Sequence, residues 1–241
     1  MEKLITRENL RNFAYCNDHL CSGPIQGLVI SFFGLGCTSM IHEDPPDACK
    51  LAEKNILYLF PYNDPWCWMN AQAVAFTDEL VDVLFHRYGL PEDLPIISSG
   101  SSMGGQSALT YMHFAKRTPV ACVVNCPVCD LPFHFTERPD LPRTLYNAFY
   151  HENGSVSECL ARYSPLHLAP RLPKAEYVIF HCENDCAVSK KLHSDPFVAI
   201  LSQRFPVTYY SVPGRDHCDL PAEMLSAYLH HLMDAVLKNK R

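Results

Sequence analysis

The sequence predicts an α/β fold: a mainly parallel sheet with helices on both faces and one small insertion at its edge. Three observations carry this reading. Short apolar runs that do not alternate recur along the chain, as in Gly27-Leu28-Val29-Ile30-Ser31-Phe32-Phe33 and Val120-Ala121-Cys122-Val123-Val124, and strands buried on both faces have this texture. Segments with helical spacing separate the runs, which calls for crossovers and parallel pairing. From 126 to 174 the texture changes: Pro127, Pro132, Pro139, Pro142, Pro165, Pro170 and Pro173 cluster around short helical pieces. Too little periodic apolar surface lies there for a second domain, so the segment reads as a lid insertion within a single domain, 1–241.

Taken in order, residues 1–26 hold short apolar pieces broken by Asn, Asp, Gly and Pro, consistent with edge strands. The run from Gly27 forms a buried strand that ends at Gly34-Leu35-Gly36. Asp44-Pro45-Pro46 opens a short helix through Ala48, Leu51 and Ala52. Asn55 to Phe60 is the next strand, and the aromatic loop Pro61 to Trp68 follows it. Val74, Leu80, Val81, Leu84 and Phe85 recur at helical spacing and predict a helix over about 70–88. Leu94 to Ile97 leads into a glycine- and serine-rich turn, and Ala108, Leu109, Met112 and Ala115 continue as a helix. After the insertion, Tyr177 to Phe180 restarts the sheet. A helix is expected over about 190–204, a last strand over Val207 to Val212, and a closing helix opened by Pro221.

The turn before that third helix reads Gly100-Ser101-Ser102-Met103-Gly104-Gly105. Gly-x-Ser-x-Gly between strand and helix suits a nucleophile on a strained turn. Residues without side chains on either side let strand and helix approach closely, and the helix start presents N–H groups to developing negative charge. A serine hydroxyl needs a base, and the base needs an orienting acid. His217 follows the last strand in Pro213-Gly214-Arg215-Asp216-His217-Cys218 and is the candidate base. Asp185, in the loop after the strand before it, is the candidate acid, with Glu183 and Asp130 as rivals. Asp216 and Asp219 read as solvated. Two backbone donors would hold the oxyanion: Met103 N–H, and one from the Gly34–Gly36 turn, Leu35. Trp66, Trp68 and Phe149, with Phe133, Phe135 and Tyr146, are candidate pocket walls, though packing of lid on body would use aromatics equally well.

Composition narrows the partners. Among 241 residues, 48% are hydrophobic and 19% charged, which suits a globular enzyme rather than a disordered chain. A net charge of −6 without a basic tract speaks against nucleic acid. No stretch is apolar enough for a membrane span. The first residues carry no uninterrupted hydrophobic segment, so the expected location is the cytoplasm, with the twelve cysteines as reduced thiols. Cys126-Pro127-Val128-Cys129 and the pair Cys182, Cys186 lack the further ligands of a zinc site and the helix-opening context of a redox motif. They read as structural, with Cys126 and Cys129 close to the catalytic edge. No cofactor or metal is expected, and a homo-oligomer stays open.

With those residues in view, the chain resembles the α/β-hydrolase superfamily from about residue 25 onward. The elbow around Ser102 and the order Ser102, Asp185, His217 carry the resemblance. Within the superfamily it is similar to compact prolyl-oligopeptidase-like and dienelactone-hydrolase-like serine esterases. It departs from the latter by having Ser102 where they use cysteine, and from true prolyl oligopeptidases by lacking room for a propeller before residue 25. Phe33-Gly34 stands where many members carry His-Gly or tyrosine. The resemblance implies hydrolysis of small carboxylic esters through an acyl-enzyme. A peptidase or aminoacyl-ester hydrolase is an alternative, with Glu43, Asp44 or Asp64 binding a free amine; an inactive binding protein of the same fold is another. The expected ligand is a small ester or short peptide.

Overall fold

Seven strands form the sheet in the order β1-β3-β2-β4-β5-β6-β7. They are β1 (Ala14–Cys16), β2 (Gly27–Phe32), β3 (Ile56–Pro61), β4 (Ile96–Ser101), β5 (Ala121–Asn125), β6 (Glu176–Cys182) and β7 (Val207–Val212). The structure is a computed structural model that describes residues 4–37 and 40–239. β1 runs antiparallel to β3, and the other neighbours pair in parallel. The edge pieces expected in residues 1–26 thus reduce, in the described residues, to one three-residue strand.

Between the strands lie α1 (Pro46–Ala52), α2 (Ala71–Tyr88), α3 (Met103–Phe114), α4 (Leu131–Glu137), α5 (Leu141–Phe149), α6 (Val156–Arg162), α7 (Pro165–Leu168), α8 (Ser194–Leu201) and α9 (Ala222–Asn239). α2 begins where the Asn70 side chain accepts the Ala73 N–H and ends at Gly89 in the left-handed region. One apolar core joins α2, α3 and the helices after β5 to one face of the sheet; a second joins α9 to the other. This is the two-sided cover that continuous apolar strands require.

The strand before the elbow runs further than its apolar residues suggest. β4 continues through Ser98, Ser99 and Gly100 because the two buried hydroxyls are satisfied: Ser98 Oγ donates to Ala108 O (3.0 Å) and Ser99 Oγ to Ile30 O (3.1 Å). α8 is shorter than the expected 190–204, since residues 190–193 form turns.

Residues 126–174 hold α4 to α7. Leu145, Phe149, Leu160 and Leu168 belong to the same core as α2 and α3. Hydrogen bonds fasten them to the body. Gln106 Nε2 on α3 donates to Tyr163 O (3.0 Å) and Trp68 O (3.3 Å), and Asn70 Nδ2 donates to Ala148 O (2.7 Å). No helix among the described residues is long and apolar enough to cross a membrane.

Candidate active site

Ser102 sits between β4 and α3 with φ 59° and ψ −125°, a conformation rare for a residue with a side chain. The flanking glycines make it reachable. A Cβ on Gly104 would lie 2.1 Å from Phe32 O, and one on Gly100 would lie 2.4 Å from Gly104 O, so neither position admits a side chain. The turn is pinned by Ser102 N–H donating to Asn125 O (3.0 Å).

Two other loops bring their side chains to this turn. His217 Nε2 lies 2.9 Å from Ser102 Oγ, and His217 Nδ1 lies 2.7 Å from Asp185 Oδ2. A carboxylate only accepts, so Nδ1 carries the proton and Nε2 is left to accept the serine hydroxyl. Asp185 is itself oriented: its Oδ1 accepts Ala187 N–H (2.9 Å) and Val188 N–H (2.7 Å), and the fully buried His181 places Nε2 3.4 Å from Oδ2. Burial favours a protonated carboxyl, but the hydrogen bonds from His181, His217 and Val188 outweigh it and hold Asp185 well below the usual range. For His217, burial works against charge, yet Asp185, then Cys126, raise its pKa to about 9.

The rivals for the acid lie elsewhere. Glu183 accepts the Ser211 hydroxyl, and Asp130 caps α4 through Phe133 N–H. Asp216, read from sequence as solvated, does more: its Oδ1 accepts Cys186 N–H (3.1 Å) and His217 N–H (2.7 Å). It and His181 escape a sequence reading because a loop carboxylate and a strand histidine carry no mark of the contacts they make.

A cavity of about 440 Å³ opens on the serine, lined among others by Leu35, Trp68, Ser102, His134, Arg138 and His217. Leu35 is therefore beside Ser102, and Met103 is the first residue of α3, where an N–H has no acceptor within the helix. Two predicted wall residues are elsewhere. Trp66 lines a larger cavity, about 800 Å³, that does not include Ser102, with Arg143 over its ring at 5.5 Å. Phe149 is buried and stacks on Tyr163 with centroids 5.2 Å apart, because the apolar face of α5 turns into the core. Phe135 packs on Tyr146 and Phe133 on His193. The smaller cavity is the one that holds the serine and its imidazole. Of the candidate amine-binding acids, Asp64 lines the larger cavity and Asp44 accepts Tyr15 OH (2.7 Å). Glu43 does not line the serine cavity.

α4 is fixed over the cavity by a hydrogen-bonded knot. His134 Nδ1–H (2.5 Å) and His193 Nε2–H (3.0 Å) both donate to Glu137 Oε2. Burial raises the cost of charge on Glu137, but the two imidazoles prevail and its pKa falls to about 2. Burial lowers that of His134.

Cys126 and Cys129 have different surroundings. Cys126 packs with Cys182 and Cys218 beside His217, whereas Cys129 Sγ lies against Pro127 O. The hydrogen bond with Cys218, and then burial, push the Cys126 thiol up.

No protein-family model and no curated protein sequence matches the chain. Similarity to solved structures is extensive. A puromycin hydrolase superposes with a TM-score of 0.71 at 14% identity over 89% of this chain and 34% of its own, so the chain spans about a third of that protein's length. An inhibited esterase B from Lactobacillus rhamnosis gives 0.69 at 14% identity, over 90% and 79% of the two chains. An S-formylglutathione hydrolase from Agrobacterium tumefaciens gives 0.68 at 17%, over 90% and 85%. With this strand order, the serine on the turn after β4 and these relatives in structure, the chain has the α/β-hydrolase fold.

Proposed function

We propose that the protein is a serine hydrolase that cleaves small carboxylic esters through an acyl-enzyme. The observation that carries the reading is the continuous hydrogen-bonded series from Ser102 Oγ through His217 to Asp185, three side chains from three loops. His217 Nε2 takes the hydroxyl proton as Ser102 attacks the carbonyl. The amides of Met103 and Leu35 receive the oxyanion, and His217 returns the proton to the departing alcohol. Water, deprotonated by the same imidazole, then releases the acid.

The charged side chain on the cavity wall is Arg138, and no Asp or Glu lines that cavity among the described residues. This lining supports neutral or acidic esters over substrates with a free amine, and so favours esterase over aminopeptidase chemistry. The proposal also places the enzyme in a reducing cytoplasm, on the scattered distribution of its twelve cysteines.

Incubation with a fluorophosphonate probe and turnover of p-nitrophenyl acetate test the reading. The native chain labels and turns over. Ser102→Ala loses labelling and at least about 10⁴-fold in kcat. Labelling that persists in Ser102→Ala, or aminoacyl-arylamides cleaved in preference to esters, would overturn it.

A further inference from the structure

Acyl transfer leaves unused a set of soft donor atoms beside the imidazole. Cys126 follows β5 and Cys218 follows His217; their sulfurs and a nitrogen of His217 lie within 4.8 Å of one another. Cys218 Sγ stands 3.6 Å from His217 Nε2. In a tetrahedral zinc site, bonds of about 2.3 Å to sulfur and about 2.0–2.1 Å to nitrogen put such a pair about 3.6 Å apart.

Two features prepare these atoms for a cation. Asp185 holds the His217 Nδ1–H, so Nε2 carries the lone pair, engaged here by the Ser102 hydroxyl; this is the carboxylate-supported tautomer that metal-bound histidines adopt. Cys126 Sγ accepts the backbone N–H groups of Cys182 and Cys218, each at 3.4 Å, which fixes the sulfur in place beside His217. Both cysteines also hold positive φ, 45° and 58°, so the backbone is locally committed to presenting them.

The histidine knot beneath α4 makes an instructive contrast. His193 Nδ1 accepts Cys129 N–H (3.2 Å) and Asp130 N–H (3.1 Å), and its Nε2 carries the proton given to Glu137. Both ring nitrogens of His193 are thus already engaged by groups of the protein.

We propose that Cys126 Sγ, Cys218 Sγ and His217 Nε2 form a binding site for a thiophilic divalent cation of the zinc class, and that occupancy silences hydrolysis. Coordination exchanges two S–H bonds for S–metal bonds, sends two protons to solvent and consumes no oxidant or reductant. Nε2 gives up the Ser102 hydroxyl for the cation, so the nucleophile loses its base. His217 and Cys218 line the cavity that opens on Ser102, which gives the ion its route in. The inhibitory half of the proposal rests on the hydrolase reading; the binding half does not.

Titration of the reduced, full-length chain with Co²⁺ reads the site directly. One equivalent should bring up thiolate-to-cobalt charge transfer in the near ultraviolet and tetrahedral bands in the visible, both discharged by Zn²⁺. Cys126→Ser and Cys218→Ser, their folding checked by circular dichroism, should each lose the bands. Cys49→Ser on α1 and Ser102→Ala should keep them. Zinc should lower p-nitrophenyl acetate hydrolysis tenfold or more, reversibly with EDTA, while any residual turnover of the two serine variants ignores zinc. Absence of the bands from the folded native chain, their survival in both serine variants, or inactivation reversed by dithiothreitol but not by EDTA would overturn the proposal. Bands without any esterase turnover would uphold the site and count against the hydrolase reading alone.

Discussion

Asp216 accepts the backbone N–H of Cys186 on the same carboxylate oxygen that receives the N–H of His217. One side chain thus fastens the loop carrying the acid to the loop carrying the base, and sets the distance between Asp185 and His217. Asp216→Ala should lower kcat by roughly 10- to 100-fold, the usual result of a small misplacement of reacting groups. Asp216→Asn, whose side-chain carbonyl can still accept both N–H groups, should restore most of it. Steady-state kinetics on the two variants, with KM nearly unchanged, checks the expectation.

The pH profile should be displaced to the alkaline side. A general base works only when neutral, and the pKa of His217 is raised to about 9 against the ordinary value of about 6.5. kcat/KM should therefore keep rising as the pH passes 7, with its midpoint near 9 and its plateau about one unit above that. In Asp185→Asn the main support for the charged ring is lost. Its maximum should drop about 10⁴-fold and its midpoint should move to lower pH. An acid limb ending near 6.5 in the native enzyme would contradict the assignment.

Acid should loosen α4. Glu137 has a folded pKa of about 2, below its unfolded value, so its contribution to stability is complete above about pH 4.3 and is lost as the pH falls toward 2. His134 has its pKa lowered by burial. The unfolded chain takes up that proton first, and stability begins to fall below about pH 6.5. Both effects run the same way, so the melting temperature should decline steadily on acidification. Glu137→Gln should cost about 1–3 kcal/mol at neutral pH, because two buried N–H donors lose a charged acceptor, and its curve should flatten below about pH 4. Calorimetry across the range measures both.

The two tryptophans should separate cleanly. Trp68 is fully buried, lines the serine cavity and donates from Nε1 to Thr144 Oγ1 (3.1 Å). Trp68→Ala should destabilise by about 3–5 kcal/mol and raise KM. Trp66→Ala, on the other cavity, should leave kcat/KM within about twofold, the range expected of a surface change. Ester kinetics with thermal melts decides.

Much of the fold could be read from the residues because its signals are local. Continuous apolar runs locate the inner strands, and glycines flanking Ser102 are dictated by backbone contacts that admit nothing larger. His217 and Asp185 could be named because each follows a strand, where parallel sheets gather their loops. What escaped depends on direction. Phe149 and Trp66 have the composition of a pocket wall, yet the rotation of α5 and the path of the loop after β3 send them elsewhere. The extension of β4 through Ser98 and Ser99 rests on acceptors many residues away. Asp216 looks like any hydrated loop carboxylate until the neighbouring loop is laid beside it.

The helices that follow β5 share their interior with α3 and are hydrogen-bonded to it through Gln106. That joint ownership makes the segment a poor cassette. Exchanging it wholesale for another would hollow out the body beneath and cost far more than the new surface could return. Redirecting the proposed activity toward other esters should instead proceed by single replacements where α4 and its C-terminal flank overhang the serine, with His134 and Arg138 as the first positions to vary.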